Sequence, residues 1–221
     1  MDIQERLTAF AMLGASWVMW LLVALSVVVL AIVLERAYYL FVSRDDIAGL
    51  KRDLIDRLRI GDTLGTEKRL AESKSWEARI ALAGLNAAED GAASAEEQMT
   101  GEAGLAKLAM ERNLAFIGTV GNNAPFVGLL GTVIGIIQAF HELDTSGGQV
   151  SAGLMGRVGE ALVATAIGLL VALPAVAAFN YFTRVIRARV ARGNALGASV
   201  LAYLKSTRFS TSPVDVPLAG E

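Results

Sequence analysis

Three stretches of the chain carry no Asp, Glu, Lys, Arg or His: Leu7–Leu34, Asn113–Phe140 and Ala161–Thr183, each at least 23 residues long. A helix needs about 20 apolar residues to cross a bilayer, so this pattern predicts three transmembrane helices. Between the first two runs the pattern changes. From Arg44 to Arg79 charges of both signs alternate around Leu50, Leu54, Leu58 and Ile80, as in an amphipathic helix with solvated charged faces, and Gly61, Asp62 and Gly65 divide it in two. Ser94 and Glu97 have capping-box spacing, which predicts a helix starting there and running through Leu105, Leu108 and Arg112 into the second span. The third span continues through Val185, Ala188, Arg192 and Leu196 towards Leu204.

The expected architecture is therefore an all-α membrane protein whose second and third helices extend beyond the bilayer. Its parts are an N-terminal segment over 1–12, membrane helices over 13–36, 113–140 and 156–183, a helical segment over 37–112, a loop over 141–155, a helical extension over 184–208 and a disordered tail over 209–221 containing Pro213 and Pro217.

Charge adds direction. Of 20 Lys and Arg, twelve lie between Arg36 and Arg112 and six between Arg184 and Arg208, leaving Arg6 and Arg157 elsewhere. By the positive-inside rule the N-terminus and the 141–155 loop are periplasmic, and the middle segment and C-terminus are cytoplasmic. With charge thus segregated, the net charge of −2 gives no indication of nucleic-acid binding. The first run is too long for a signal-peptide core and lacks a basic lead, so cleavage is not expected. The absence of cysteine excludes a disulfide framework and a thiolate metal or redox site. No triad-like set or phosphate loop is present, so no enzyme, cofactor or metal is expected.

The spans differ in kind. The first is bulky, with Trp17, Trp20 and Val27 to Leu30, and ends in Tyr38 and Tyr39 at the depth of an interfacial belt, which suits a lipid-facing helix. The second carries Gly121, Ala124, Gly128, Gly131, Gly135 and Ala139 in one stripe, and the third carries Ala161, Ala164, Thr165, Gly168, Ala172 and Ala175. Small residues let helices approach closely in lipid. Packing inside one chain is the first explanation of Gly128, Gly131, Gly135 and Gly168, and a bundle of several copies is the other.

Thr132 lies eight residues below Phe140, roughly 12 Å at about 1.5 Å per residue, and Thr165 lies nine residues below Gly156. The two hydroxyls thus fall at matched depth, with Glu160 above them. A membrane threonine also bonds readily to its own helix, so a shared polar layer and two separate back-bonds both remain open. Glu160 is either part of that layer or an acid favoured by its helix N-terminus. Pro125 and Pro174 are expected to kink their helices. Asn122, Asn123, Arg187 and Arg189 are candidates for a polar vestibule at the cytoplasmic end, and His141 is expected to be solvated. The second and third runs hold no titratable side chain except Tyr181, so a proton crossing them needs a carboxylate from another chain.

Residues 121–137, GNNAPFVGLLGTVIGII, and 159–174, GEALVATAIGLLVALP, resemble the second and third membrane helices of the TolQ/ExbB/MotA family of proton-driven inner-membrane motors. The order of parts is similar to the TolQ/ExbB branch, which has three spans. The resemblance implies a homopentamer around two copies of a single-span TolR/ExbD-like partner, whose membrane Asp carries the proton beside Thr132 and Thr165, with Glu160 at or near the pore. It further implies a bacterial inner-membrane location and an output through a TonB/TolA-like or motility-apparatus protein. A non-conducting oligomeric scaffold is the alternative, and the threonine pair suits proton or sodium.

Overall fold

The computed structural model describes Gly14 and residues 16–211; the predicted 1–12 segment and the tail beyond 211 lie outside the described residues. Every described element is a helix: α1 Ser16–Val42, α2 Ile47–Arg59, α3 Thr63–Glu72, α4 Trp76–Asn86, α5 Ala92–Glu111, α6 Leu114–Thr145 and α7 Ala152–Thr211. Three of them are long and apolar enough to cross a membrane, and they are the helices built on the three uncharged runs. The residues fall into two compact units, and α1 and α7 contribute to both.

The first unit comprises the described part of Met1–Ala37 with Asn113–Thr183. Its core joins Val18, Leu22 and Val29 of α1 to Ile117, Val120, Ala124 and Ile134 of α6 and to Val171, Ala172 and Ala175 of α7. The opposite side of α1 stays open, with Trp20 74% and Leu34 62% exposed. A helix satisfies its own backbone, so such a surface suits lipid. Both α6 and α7 run unbroken through Pro125 and Pro174.

The second unit comprises Tyr38–Arg112 and the described residues from Arg184 onwards. Leu50, Leu54 and Leu58 of α2 recur one turn apart and pack with Leu70, Ala78, Ala81 and Leu85 against Leu196 and Val200 of α7. Side chains that accept from the first free amides start the short helices: Asp46 for α2, Asp62 for α3 and Ser75 for α4. The expected break at Gly61 and Asp62 is present, with Gly61 at φ +76.

Two expectations are corrected here. Helix α5 begins at Ala92 after Gly91 at φ +100, with no side-chain cap, so Ser94 lies inside the helix. Nor does α5 run on into the second span. Asn113 adopts φ 63, ψ −3, and separates α5 from α6. Asparagine tolerates this left-handed conformation better than other side chains, which is why a helix can end there without glycine.

Candidate ion-path site

The site begins with the small residues. A side chain on Gly128 would lie 2.8 Å from Ala164 O and 3.1 Å from Thr165 Cα, and one on Gly168 would lie 2.7 Å from Ala124 O. Gly131 meets Ala164 Cβ and Gly135 meets Ala161 Cβ in the same way. The two stripes therefore face each other, α6 against α7, inside one chain. Several of these contacts are to backbone, so no rotamer change could make room for a larger residue.

This approach brings the threonines together. Thr132 Oγ1 and Thr165 Oγ1 are in direct hydrogen-bond contact. Thr132 Oγ1 also lies 3.0 Å from Ala161 O and 3.4 Å from Gly128 O, and Thr165 Oγ1 lies 3.3 Å from the same Gly128 carbonyl. Both residues are half-buried. The alternative of two separate back-bonds is thereby set aside: the hydroxyls form one cluster bridging two helices. Each hydroxyl has a single proton to donate and two lone pairs to accept with. Two protons shared among two carbonyls and two hydroxyls leave some acceptor capacity open in every arrangement. A neutral carboxyl group can donate to that open capacity, whereas a charged one is received only when a hydroxyl turns its proton from a carbonyl towards it.

Glu160 is not part of that cluster. Its Oε1 accepts from Ser16 Oγ at 2.8 Å, across to the first helix. Beyond it, Arg157 donates to Glu142 Oε2 at 2.5 Å and to Gln138 Oε1 at 3.1 Å, and Ser151 Oγ donates to Glu142 Oε1 at 2.9 Å. These bonds tie the end of α6 to the start of α7 across the loop. Ser16 and Gln138 carry no signal in the sequence, where each is an isolated polar residue without a spacing pattern, and Arg157 stands out there only as a basic residue between the second and third spans.

The vestibule candidates separate. Asn122 and Asn123 are exposed, and Asn123 Nδ2 donates to Thr119 O at 2.8 Å within its own helix. Arg187 is exposed. Arg189 is 4% exposed and donates to Ser43 Oγ at 2.7 Å and Ser43 O at 2.9 Å, with Glu77 Oε1 at 3.7 Å. Burial and these partners hold its guanidinium in place, beside a cavity that Arg189 lines together with Arg44, Arg184 and Arg192. His141 is exposed, as expected. Among the described residues no group of His, Cys, Asp or Glu could hold a metal.

Comparison with known proteins places this geometry. A model of the MotA/TolQ/ExbB proton channel family matches residues 72–194, which include both threonines, Glu160 and the facing stripes. The chain belongs to that family. Among its relatives, the biopolymer transport protein ExbB of Neisseria meningitidis serogroup A is 32% identical over 175 residues, covering 74% of this chain and 80% of the relative. ExbB of Xanthomonas campestris pv. campestris is 47% identical over 83 residues, 38% of this chain and 33% of the relative. The Tol-Pal system protein TolQ of Pseudomonas aeruginosa is 47% identical over 74 residues, 34% of this chain and 32% of the relative. The chain thus spans only about a third of the Xanthomonas relative it matches, whereas the Neisseria match extends over most of both proteins.

Proposed function

We propose that this chain is the larger subunit of a proton-driven stator in a bacterial inner membrane, with its N-terminus periplasmic and its C-terminus cytoplasmic. It assembles as a pentamer around two copies of a single-span TolR/ExbD-like partner. The partner's membrane Asp takes a proton on one side, passes the hydroxyl layer of Thr132 and Thr165, and releases it on the other. The Thr132–Thr165 cluster between two helices that contain no carboxylate at that depth carries this reading. A carboxyl group in lipid is expensive to move while charged and needs hydrogen-bond partners in both states. The chain offers those partners and no competing acid. Proton entry at a membrane potential of 100 mV releases about 2.3 kcal/mol per charge, enough to bias a rearrangement of packed helices. The work is delivered to the envelope, as TonB-type import, Tol-type maintenance or gliding. ExbB and TolQ among the relatives favour the first two.

The test replaces each hydroxyl by a methyl group of nearly the same shape. Thr165→Val and Thr132→Val, coexpressed with the partner, keep the stripe packed and remove a hydrogen bond to a charged group worth about 1.5–3 kcal/mol, so proton flux falls by about tenfold or more. Copurification of the partner stays unchanged. If both variants assemble and conduct at the normal rate, the threonines are packing residues. If the unaltered complex passes no protons at all, the chain is a scaffold.

A further inference from the structure

Ser16 is the first residue of α1, and its hydroxyl donates to a carboxylate 144 positions along the chain, Glu160 Oε1, at 2.8 Å. Helix geometry explains why Glu160 looks towards α1. It lies one turn from Ala164, and Ala164 packs where a side chain on Gly131 would also meet Val18 Cγ1 of α1 at 3.2 Å. Thr165 is five residues on from Glu160, and at about 100° per residue it points roughly 140° away around α7. The carboxylate and the hydroxyl cluster therefore cannot share one face of the helix. Just ahead of α1, Gly14 adopts φ +92, and a Cβ there would stand 3.7 Å from Gln138 Nε2 of α6. The start of α1 thus lies against polar groups of both helices that bear the cluster: Glu160 of α7 and Gln138 of α6.

We propose that Ser16 is a positioning residue for Glu160, so that the first helix shapes the ion path as well as the second and third. This rests on the proton-stator reading above. A carboxylate side chain has several rotamers. The Ser16 hydroxyl fixes one orientation, at the outer end of the route to the threonines. Without it the carboxylate is free to swing away from α1, and the step it assists loses its geometry while the helices remain packed.

The experiment uses the full chain coexpressed with its partner and compares Ser16→Ala, Ser16→Thr, Glu160→Gln and the Ser16→Ala/Glu160→Gln pair for proton flux per assembled complex. Removing the hydroxyl lowers flux by about fivefold, the scale of one lost hydrogen bond. Threonine, which keeps the hydroxyl, restores it. The double variant is no worse than Glu160→Gln alone, because residues acting through one another do not add. Normal flux in Ser16→Ala, no rescue by threonine, or losses that multiply in the double variant would each overturn the assignment. Thr165→Val serves as the control: if it abolishes flux while Ser16→Ala does not lower it, only the Ser16 role fails. If Thr165→Val also conducts normally, the threonine route has failed, and the assignment, which places Glu160 at its outer end, fails with it.

Discussion

At the scale of single residues, the hydroxyls of Thr132 and Thr165 do what no charged group could do at that depth. They provide hydrogen-bonding capacity without the cost of a buried ion. Their contact also makes a direct geometric prediction. The chain contains no cysteine, so Thr132→Cys/Thr165→Cys introduces the only two thiols, on atoms already in hydrogen-bond contact. Mild oxidation in membranes should close an intrachain disulfide, read as protection from maleimide labelling that is reversed by reductant. Persistent labelling would show that the two helices hold a different register. The matched depth of the threonines could be read from sequence because helical rise converts residue number into distance. The direction of Glu160 could not, since its partner Ser16 is one of two serines in an apolar run and no local spacing links residues so far apart.

At the scale of elements, local chemistry predicts what is decided locally. Asp62 after Gly61 ends α2 and starts α3 as its residue types suggest. The start of α5 is set instead by the backbone of Gly91, which turns the chain before Ser94 could cap it, and the stop before α6 is set by the left-handed Asn113. Arg189 shows the other limit. In sequence it is one of several arginines after a membrane span; in the fold it joins α7 to Ser43 and to the start of α4. Glu77, 1% exposed, has one carboxylate oxygen facing Arg189 and the other without a hydrogen-bond partner among the described residues. Arg189→Met would therefore leave a buried acid uncompensated, and should destabilise the protein by about 3–5 kcal/mol. Arg189→Met/Glu77→Met should recover much of that loss. Thermal unfolding in detergent, followed by the solubility of the heated protein, measures both. Equal melting of the wild type and Arg189→Met would show that the pair contributes nothing to stability.

At the scale of the whole molecule, the uncharged runs were legible because a membrane span is a property of some 20 consecutive residues and does not depend on any one of them. The proposed orientation rests on the uneven distribution of Lys and Arg, and the lack of native cysteines makes it easy to check. A single Gln149→Cys in the loop between α6 and α7 should react with a membrane-impermeant maleimide on spheroplasts, whereas Gln98→Cys in α5 should react only after the membrane is opened. The reverse pattern would invert the topology and the direction of any proton flow through it. The glycine contacts between α6 and α7 have a mechanical consequence as well. Because Gly128 and Gly168 abut backbone atoms and not flexible side chains, the helix pair has no slack at the level of the threonines. In the proposed pentamer each subunit would then act there as a stiff double stave, so the strain of a proton step would fall on the seams between staves or on the proposed central partner.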